Sequence, residues 1–326
     1  MFAFIVSRLL QAIPVLLVVG FISFGMFAFV GDPILFMLGQ DFTVEQKEAL
    51  IRQLGLDQPF LVQYGHYLWA ALHGNFGMSY RLARPVSTLL LERLPATAEL
   101  ALSAAAFAMI VGMPLGVYTG IKRDALSSRL ILMFSLVGVS LPPFLIGILM
   151  ILIFAVLLGW LPSFGRGEVV NLGIWTTGFL TWSGIKALVL PAISLGLFPL
   201  TLNMRLVRAE MLEVLRSDYI KFAKARGISQ RAIYFGHALK NTLVPVITIV
   251  GLQIGGLIAF AIVTESVFQW PGMGLLLVQS IGTADIPVMS AYLQLIAVLF
   301  VVINLLVDLL YYAVDPRLRI GRGGGH

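Results

Sequence analysis

Leu9–Gly31, Leu100–Ile121, Leu130 up to Arg166, Ala187–Met204, Thr242–Thr264 and Ile286–Val307 are long, strongly apolar stretches free of Asp, Glu, Lys and Arg. A helix needs roughly 20 apolar residues to cross the hydrocarbon core of a bilayer, and each stretch is near or above that length. Strands of a membrane barrel would instead alternate apolar and polar residues in segments of about ten, and nothing here does. The expected fold is therefore all-α: a polytopic helical membrane protein with six transmembrane helices. Charged residues make up 12% of the 326 residues and mean hydropathy is +0.95. An ordinary soluble domain carries about twice that charged fraction.

The first run follows Arg8, as a signal peptide would. It is longer than the roughly 7–15 apolar residues of a signal core, and no A-x-A cleavage pattern follows. It reads as an uncleaved span. Pro142-Pro143 interrupts the third run and should kink it. Val169–Ile185 is uncharged and holds Trp175 and Trp182, which favours a surface helix at the membrane interface. With no cysteine in the chain, a disulfide framework and a thiol catalyst are excluded.

Charge sets the orientation. Six spans place fifteen of the 22 Lys and Arg on the side of the N-terminus. These are Arg8, Lys122, Arg123, Arg129, the eight bases of 205–241, and Arg317, Arg319 and Arg322. The other side takes Lys47, Arg52, Arg81, Arg84, Arg93, Arg166 and Lys186. By the positive-inside rule both termini, the 122–130 loop and the 205–241 loop are cytoplasmic. The net charge of +6 reflects this bias and does not indicate nucleic-acid binding. The expected parts are a first span over 1–31, an extracytoplasmic loop over 32–99, a five-span core over 100–315 and a cytoplasmic tail over 316–326. Within the outer loop, Thr43–Gln53 and Tyr64–Leu72 read as short helices and Gly74–Ser79 as a turn.

The loop 205–241 is long for a connector and carries Lys or Arg every few residues. Ile220, Ala223, Gly227 and Ile228 mark an apolar face. Gly227 interrupts the helix, since glycine costs about 1 kcal/mol in a helix interior, and Ser229 can cap a second helix. Helix, turn, helix at a membrane surface has two readings: attraction to anionic lipid, or docking of a cytoplasmic partner.

Asp218-Tyr219, then Ala223-Lys224-Ala225-Arg226-Gly227, then His237-Ala238-Leu239-Lys240-Asn241 resemble the cytoplasmic loop of ABC-importer permeases. The branch they resemble is the dipeptide/oligopeptide/nickel branch of binding-protein-dependent transport systems. In the wider class this loop reads E-A-A-x3-G-x9-I-x-L-P. Here Ala223, Gly227 and Leu239 match, while Lys221, His237 and Lys240 stand where Glu, Ile and Pro would be. Those departures fit the peptide branch. The same branch matches Gly31-Asp32-Pro33, Leu54–Pro59, Glu92–Thr97, Leu158–Pro162, Glu265–Gly274 and Asn304–Asp308 with Asp315-Pro316-Arg317, so the resemblance covers nearly the whole chain.

The resemblance implies a permease subunit that forms half of a translocation path for a peptide-like solute in a bacterial inner membrane. Its partners would be a sister permease, two cytoplasmic ATPase subunits and an extracytoplasmic substrate-binding protein. Asp218, Tyr219, Ala223, Lys224, Ala225, Gly227, His237, Leu239 and Asn241 would form the element that engages the ATPase. Nickel chelates, glutathione or oligosaccharides are alternative cargoes. The chain has no G-x-x-x-x-G-K-[ST] loop to cradle phosphates, so no ATP site is expected on it. It is read as a non-enzymatic subunit that binds no cofactor, with ATP and Mg on the partner ATPases.

Asn203, Gln253 and Glu265 are the candidate polar residues of the path; helix–helix hydrogen bonding is the equal reading for the two amides, and a structural role for Glu265. Asp308, one turn after Asn304, is read as structural, pairing with Arg317 or Arg319. Gly116-x-x-x-Gly120 and Gly251-x-x-x-Gly255 are close-packing patterns. The four histidines show no metal-ligand spacing, and no hydrolase motif occurs. A secondary transporter would place several ionisable residues mid-membrane, which these runs lack; a membrane scaffold is the other rival.

Overall fold

The computed structural model describes residues 2–29, 43–45, 48, 51–52 and 57–314. Gly31-Asp32-Pro33, Leu54–Leu56 and the tail from Asp315, with Arg317 and Arg319, lie outside them. In chain order the principal helices are α1 (Phe2–Phe29), α2 (Phe60–Leu72), α3 (Val86–Ile121), α4 (Leu126–Ser140), α5 (Pro143–Met150), α6 (Trp182–Arg216), α7 (Asp218–Ala225), α8 (Leu239–Val267), α9 (Met273–Gly282) and α10 (Ile286–Val314). Two π-helical turns, Ile151–Leu157 and Ala232–Ala238, follow α5 and precede α8.

Among the described residues, five helices are long and apolar enough to cross a membrane: α1, α3, α6, α8 and α10. A sixth crossing exists only if α4 and α5 are read as one span across a bend of 107°. The sequence anticipated six spans and a kink at Pro142-Pro143. The bend is much sharper than a proline kink, because two successive prolines remove two N–H donors and hold Leu141 extended.

Two compact units make up the chain. In the first (Met1–Pro95 with Gly272–Val301), aromatic rings join α1 to α2: Phe24 lies 5.0 Å from Phe60 and 5.8 Å from Tyr64. The Tyr64 hydroxyl donates to the Leu17 carbonyl at 2.7 Å, and Ser290 of α10 donates to the Ser23 carbonyl at 3.0 Å. Val44, Glu45, Glu48, Ile51 and Arg52 are helical, as expected for that segment.

The second unit (Ala96–Pro271 with Val302–His326) packs around α6. Gly112, Gly116 and Gly120 of α3 face it at every fourth residue. A Cβ on them would stand 2.8 Å from the Leu200 carbonyl, 2.7 Å from the Met204 carbonyl and 2.9 Å from Met211 Cβ. Backbones this close are how membrane helices gain packing without a hydrophobic drive. Gly251 of α8 meets Val307 of α10 in the same way. Around the α4–α5 break, α6 hydroxyls bind backbone carbonyls: Thr201 donates to Ser135 at 2.9 Å and Ser194 to Pro143 at 2.8 Å. Without water, carbonyls near a helix break need such partners.

The surface helix expected over 169–185 is absent. Val170–Asn171 (β1) pairs antiparallel with Thr176–Thr177 (β2), turning at Gly173, where φ is +94° and Asn171 Oδ1 accepts the Gly173 N–H. α6 then starts at Trp182, capped by Thr181, whose hydroxyl accepts the Gly184 N–H. The Trp residues raised the apparent apolarity, while the Asn-x-Gly turn decided the backbone.

Candidate functional site

α6 ends at Arg216, and Ser217, with ψ of 153°, redirects the chain into α7. Ile220 and Ala223 of α7, Ile233 and Ala238 of the second π turn, Val207 and Met211 of α6, Val246 and Val250 of α8, and Val117 of α3 form one buried apolar cluster. Leu239 and Ile228 pack against its edge. The element is thus docked by side-chain burial on one face. Its other face is exposed and mixes Lys221, Lys224 and Arg226 with Tyr219, Phe222 and Phe235. Exposed aromatics beside an arginine are a feature this face shares with protein–protein interfaces. The Lys221–Asp218 pair at 2.7 Å is solvent-exposed on both sides and adds little to stability.

Gly227 ends α7 in a left-handed conformation, φ +75°. Its N–H reaches the Lys224 carbonyl at 2.9 Å and the Ile228 N–H reaches the Ala223 carbonyl at 3.3 Å, the paired bonds of a Schellman cap. Open space surrounds it, so glycine is required here by backbone conformation and not by crowding. The chain re-enters a helix after Ser229, whose Oγ accepts the Ala232 N–H at 3.4 Å. The Tyr219 hydroxyl meets His237 Nδ1 at 2.5 Å, with the rings edge-to-face at 5.7 Å. This bond ties α7 to the π turn.

Of the residues expected in this element, the fold brings Tyr219 to His237 and Ala223 and Leu239 into the cluster; Asp218, Lys224, Ala225 and Asn241 stand on the exposed surface. Ile233, Phe222 and Phe235 complete the element and were not singled out in the sequence. Their spacing was the available signal: Ile220, Ala223, Ile233 and Ala238 are the apolar positions between the bases.

The three candidate path residues are dispersed. Glu265 is fully buried at the end of α8 and accepts from the Thr97 hydroxyl at 2.6 Å, while the Trp270 N–H donates to its carbonyl at 2.8 Å. Gln253 is half-buried on α8. Asn203 is buried on α6, yet neither its Oδ1 nor its Nδ2 has a hydrogen-bond partner. It lies about 60° around α6 from the stripe that meets the glycines of α3, taking 100° per residue, and away from Thr201, which faces α4. An unpaired buried amide costs about 1–3 kcal/mol for each group.

A polar network at the start of α3 escaped the sequence reading. Arg166, buried, donates to Glu99 Oε2 from Nε at 3.0 Å and from Nη2 at 2.6 Å, and to the Thr176 carbonyl at 2.7 Å. The Gly178 N–H donates to Glu99 Oε1 at 3.1 Å. This network holds the β1–β2 hairpin to α3. Among the described residues no cluster of three or more His, Asp or Glu is placed to hold a metal ion. Asp308 is partly buried on α10; the bases expected to pair with it lie outside the described residues.

Two family models match most of the chain. Residues 112–320 match the binding-protein-dependent transport system inner membrane component, and residues 1–101 match the N-terminal part of such membrane components. A dipeptide transport system permease protein of Alkalihalophilus pseudofirmus is 40% identical over 98% of this chain and 100% of its own length. A putative peptide transport system permease of Brucella abortus is 40% identical over 98% of this chain and 99% of its own. The Escherichia coli K12 dipeptide permease is 36% identical over the same shares. The inward-facing MetNI methionine ABC transporter structure matches with a TM-score of 0.55 and 20% identity, covering 70% of this chain and 97% of that one, which is a likeness of fold.

Proposed function

The chain belongs to the family of binding-protein-dependent transport system inner membrane components, and from that premise we propose that it is the permease subunit of an ATP-driven importer of peptides. The relatives that cover its whole length are peptide permeases by name. The observation that carries the mechanism is the docked element of α7 and the π turn, with an apolar face buried in the unit and a charged aromatic face left outside.

The proposed partners are a sister permease, two ATPase subunits that hold ATP and Mg, and an extracytoplasmic binding protein. Both termini and α7 face the cytoplasm of a bacterial inner membrane. α7 sits in a cleft of the ATPase, and closure of the ATPases pushes it. Because α7 shares one apolar cluster with α6, α8 and the end of α3, its displacement moves those helices together and the path opens outward. Asn203, Gln253 and Glu265 are the polar positions proposed along the path, with Asn203 gaining its hydrogen bonds from the peptide backbone or a moved helix. No bond is made or broken by this chain.

Gly227 provides the test. Gly227→Val forces a β-branched residue to positive φ, at a cost of about 1–2 kcal/mol, and should abolish uptake of radiolabelled dipeptide while membrane levels stay normal. Gly227→Asn, which tolerates that conformation, should retain much of it. Normal uptake by Gly227→Val contradicts the reading.

A further inference from the structure

Asp57 and Arg81 bracket 23 residues that contain no Asp, Glu, Lys or Arg. That is long enough for a span, yet the segment forms none. α2 takes Phe60–Leu72, and the chain then leaves the helix at His73 and turns back.

Its neighbours in the first compact unit fix its depth. The apolar stretches of α1 and α10 are Ile5–Met26 and Ile286–Leu309, so their midpoints fall at Val15-Leu16 and Ala297-Val298. The two helices are in register: Ser290 bonds the Ser23 carbonyl, and a Cβ on Gly20 would stand 3.2 Å from Gln294 Nε2. α2 descends beside this pair. Phe60 packs on Phe24 and Phe29, the Tyr64 hydroxyl reaches the Leu17 carbonyl, and Leu68 Cδ2 lies 3.0 Å from the same Gly20 position. Leu72, Gly74 and Phe76 line a cavity of about 330 Å³ with Leu16 and Val298, which lie at the midpoints of both spans. The 13 residues of α2 cover about 20 Å. From the edge of the hydrocarbon to its middle is roughly 15 Å.

The return leg closes a hairpin. The Ser79 hydroxyl and the Tyr80 N–H donate to Asp285, which precedes α10 and stands about 19 Å from that helix's midpoint. Seven residues from Leu72 reach at most about 25 Å, so the chain climbs straight back. Polar groups along the way are bonded at home, as hydrocarbon demands. Gln63 Nε2 donates to the Gln58 carbonyl at 2.7 Å, and His73 Nδ1 meets the Trp69 carbonyl at 2.8 Å. At the turn, the Gly74 and Asn75 N–H groups reach the Ala71 and Ala70 carbonyls, and the Gly77 N–H reaches Asn75 Oδ1.

The outward side of α2 exposes Leu61, Val62, Trp69 and Leu72, with His66 the one polar side chain among its exposed residues. At the same depths α1 exposes Leu17, Val18, Phe21 and Ile22. A surface this apolar, level with the outside of a span and without a charge to pair with a protein, suits acyl chains.

We propose that residues 58–80 are a re-entrant segment. α2 descends beside α1 to the middle of the bilayer, the chain turns there and returns, and acyl chains of that leaflet cover the exposed face of α2. The inference goes beyond the transport reading: it requires α1 and α10 to cross the membrane and nothing of the cargo or the ATPase.

The test reads depth along the segment in the assembled transporter in lipid nanodiscs. The chain has no cysteine, so a nitroxide can be attached at one chosen position, with the unsubstituted complex labelled in parallel to give the background from other subunits. Asp57→Cys, Leu61→Cys, Trp69→Cys, Leu72→Cys and Arg81→Cys are compared by collision with oxygen, which concentrates in hydrocarbon, and with chromium oxalate, which stays in water. The oxygen-to-chromium ratio should rise from Asp57 through Leu61 and Trp69 to Leu72 and fall again at Arg81. Leu72→Lys should cut the amount of assembled transporter several-fold, while Leu61→Lys is tolerated, because a cation deep in hydrocarbon is costly and one near its edge reaches water. A flat profile overturns the proposal, since α2 would then lie along the interface. Strong chromium contact at Leu72 overturns it by placing the turn in water. Labels at Trp69 and Leu72 that meet neither reagent overturn it too, because protein would then cover α2. Equal tolerance of the two lysines contradicts the depth difference.

Discussion

The second compact unit is held by different forces at the two ends of its α3 segment. Near residues 96–99 the contacts are polar and directional. Arg166 and Thr97 reach buried carboxylates, the Trp270 indole donates to the Ala96 carbonyl at 2.9 Å, and the Gly165 N–H reaches the Phe268 carbonyl at 2.9 Å. Near residues 117–121 the contacts are apolar side chains from α3, α6, α7, α8 and the π turn, with the Tyr219–His237 bond as a rivet. Directional bonds fail if partners shift by an ångström, whereas apolar packing loses contact gradually and can repack. The polar end is suited to stay fixed, and the apolar end to transmit a push.

The largest expected effect is at the polar end. Arg166→Ala leaves Glu99 buried and unpaired, and breaking such a pair costs about 3–5 kcal/mol. The variant should melt well below wild type in detergent and accumulate poorly, and replacing Glu99 by Gln as well should recover part of the loss. An unchanged melting temperature would erase the distinction between the ends.

Ile220→Ala comes next. Truncating a fully buried Ile costs about 2–5 kcal/mol, here at the seat of α7. The expected outcome is the reverse of Arg166→Ala: nearly normal membrane levels and helicity, but uptake sharply reduced while ATP hydrolysis persists. If Ile220→Ala lowers protein level as Arg166→Ala does, the two ends are equally structural.

The smallest effect belongs to Tyr219→Phe. It keeps the ring contact and removes one partly exposed hydrogen bond of about 0.5–1.5 kcal/mol. Uptake should fall by a few-fold at most, with no change in melting. A complete loss would mean that the rivet, and not the apolar seat, couples α7 to the unit.

How far the sequence disclosed these ends follows from the range of the forces. The spans were legible because lipid exposure demands long uncharged runs, and the break was legible in Pro142-Pro143, although not its sharpness. The α7 turn was equally legible, since a Schellman cap needs a glycine at a fixed place and a following cap needs a residue such as Ser229. The Glu99–Arg166 pair was not, because its partners stand 67 residues apart and no local pattern selects that base for that acid. α3 begins at Val86, within the expected outer loop, because Val86, Leu89 and Leu90 are buried despite the nearby charges of Glu92 and Arg93. Strands of two residues, such as β1 and β2, are too short to show alternation. Asn203 was legible as a candidate polar residue of the path or a helix–helix hydrogen-bonding partner, but only the packing reveals that both its Oδ1 and its Nδ2 lack partners.

The claim that one end is fixed and the other transmits is tested most directly by amide hydrogen exchange of the assembled transporter with and without a non-hydrolysable ATP analogue. The account predicts that protection in residues 217–241 changes on adding the analogue, while the 165–181 segment and the start of α3 exchange alike in both states. Equal protection of 217–241 in the two states, with the change falling on the 165–181 segment instead, would contradict it.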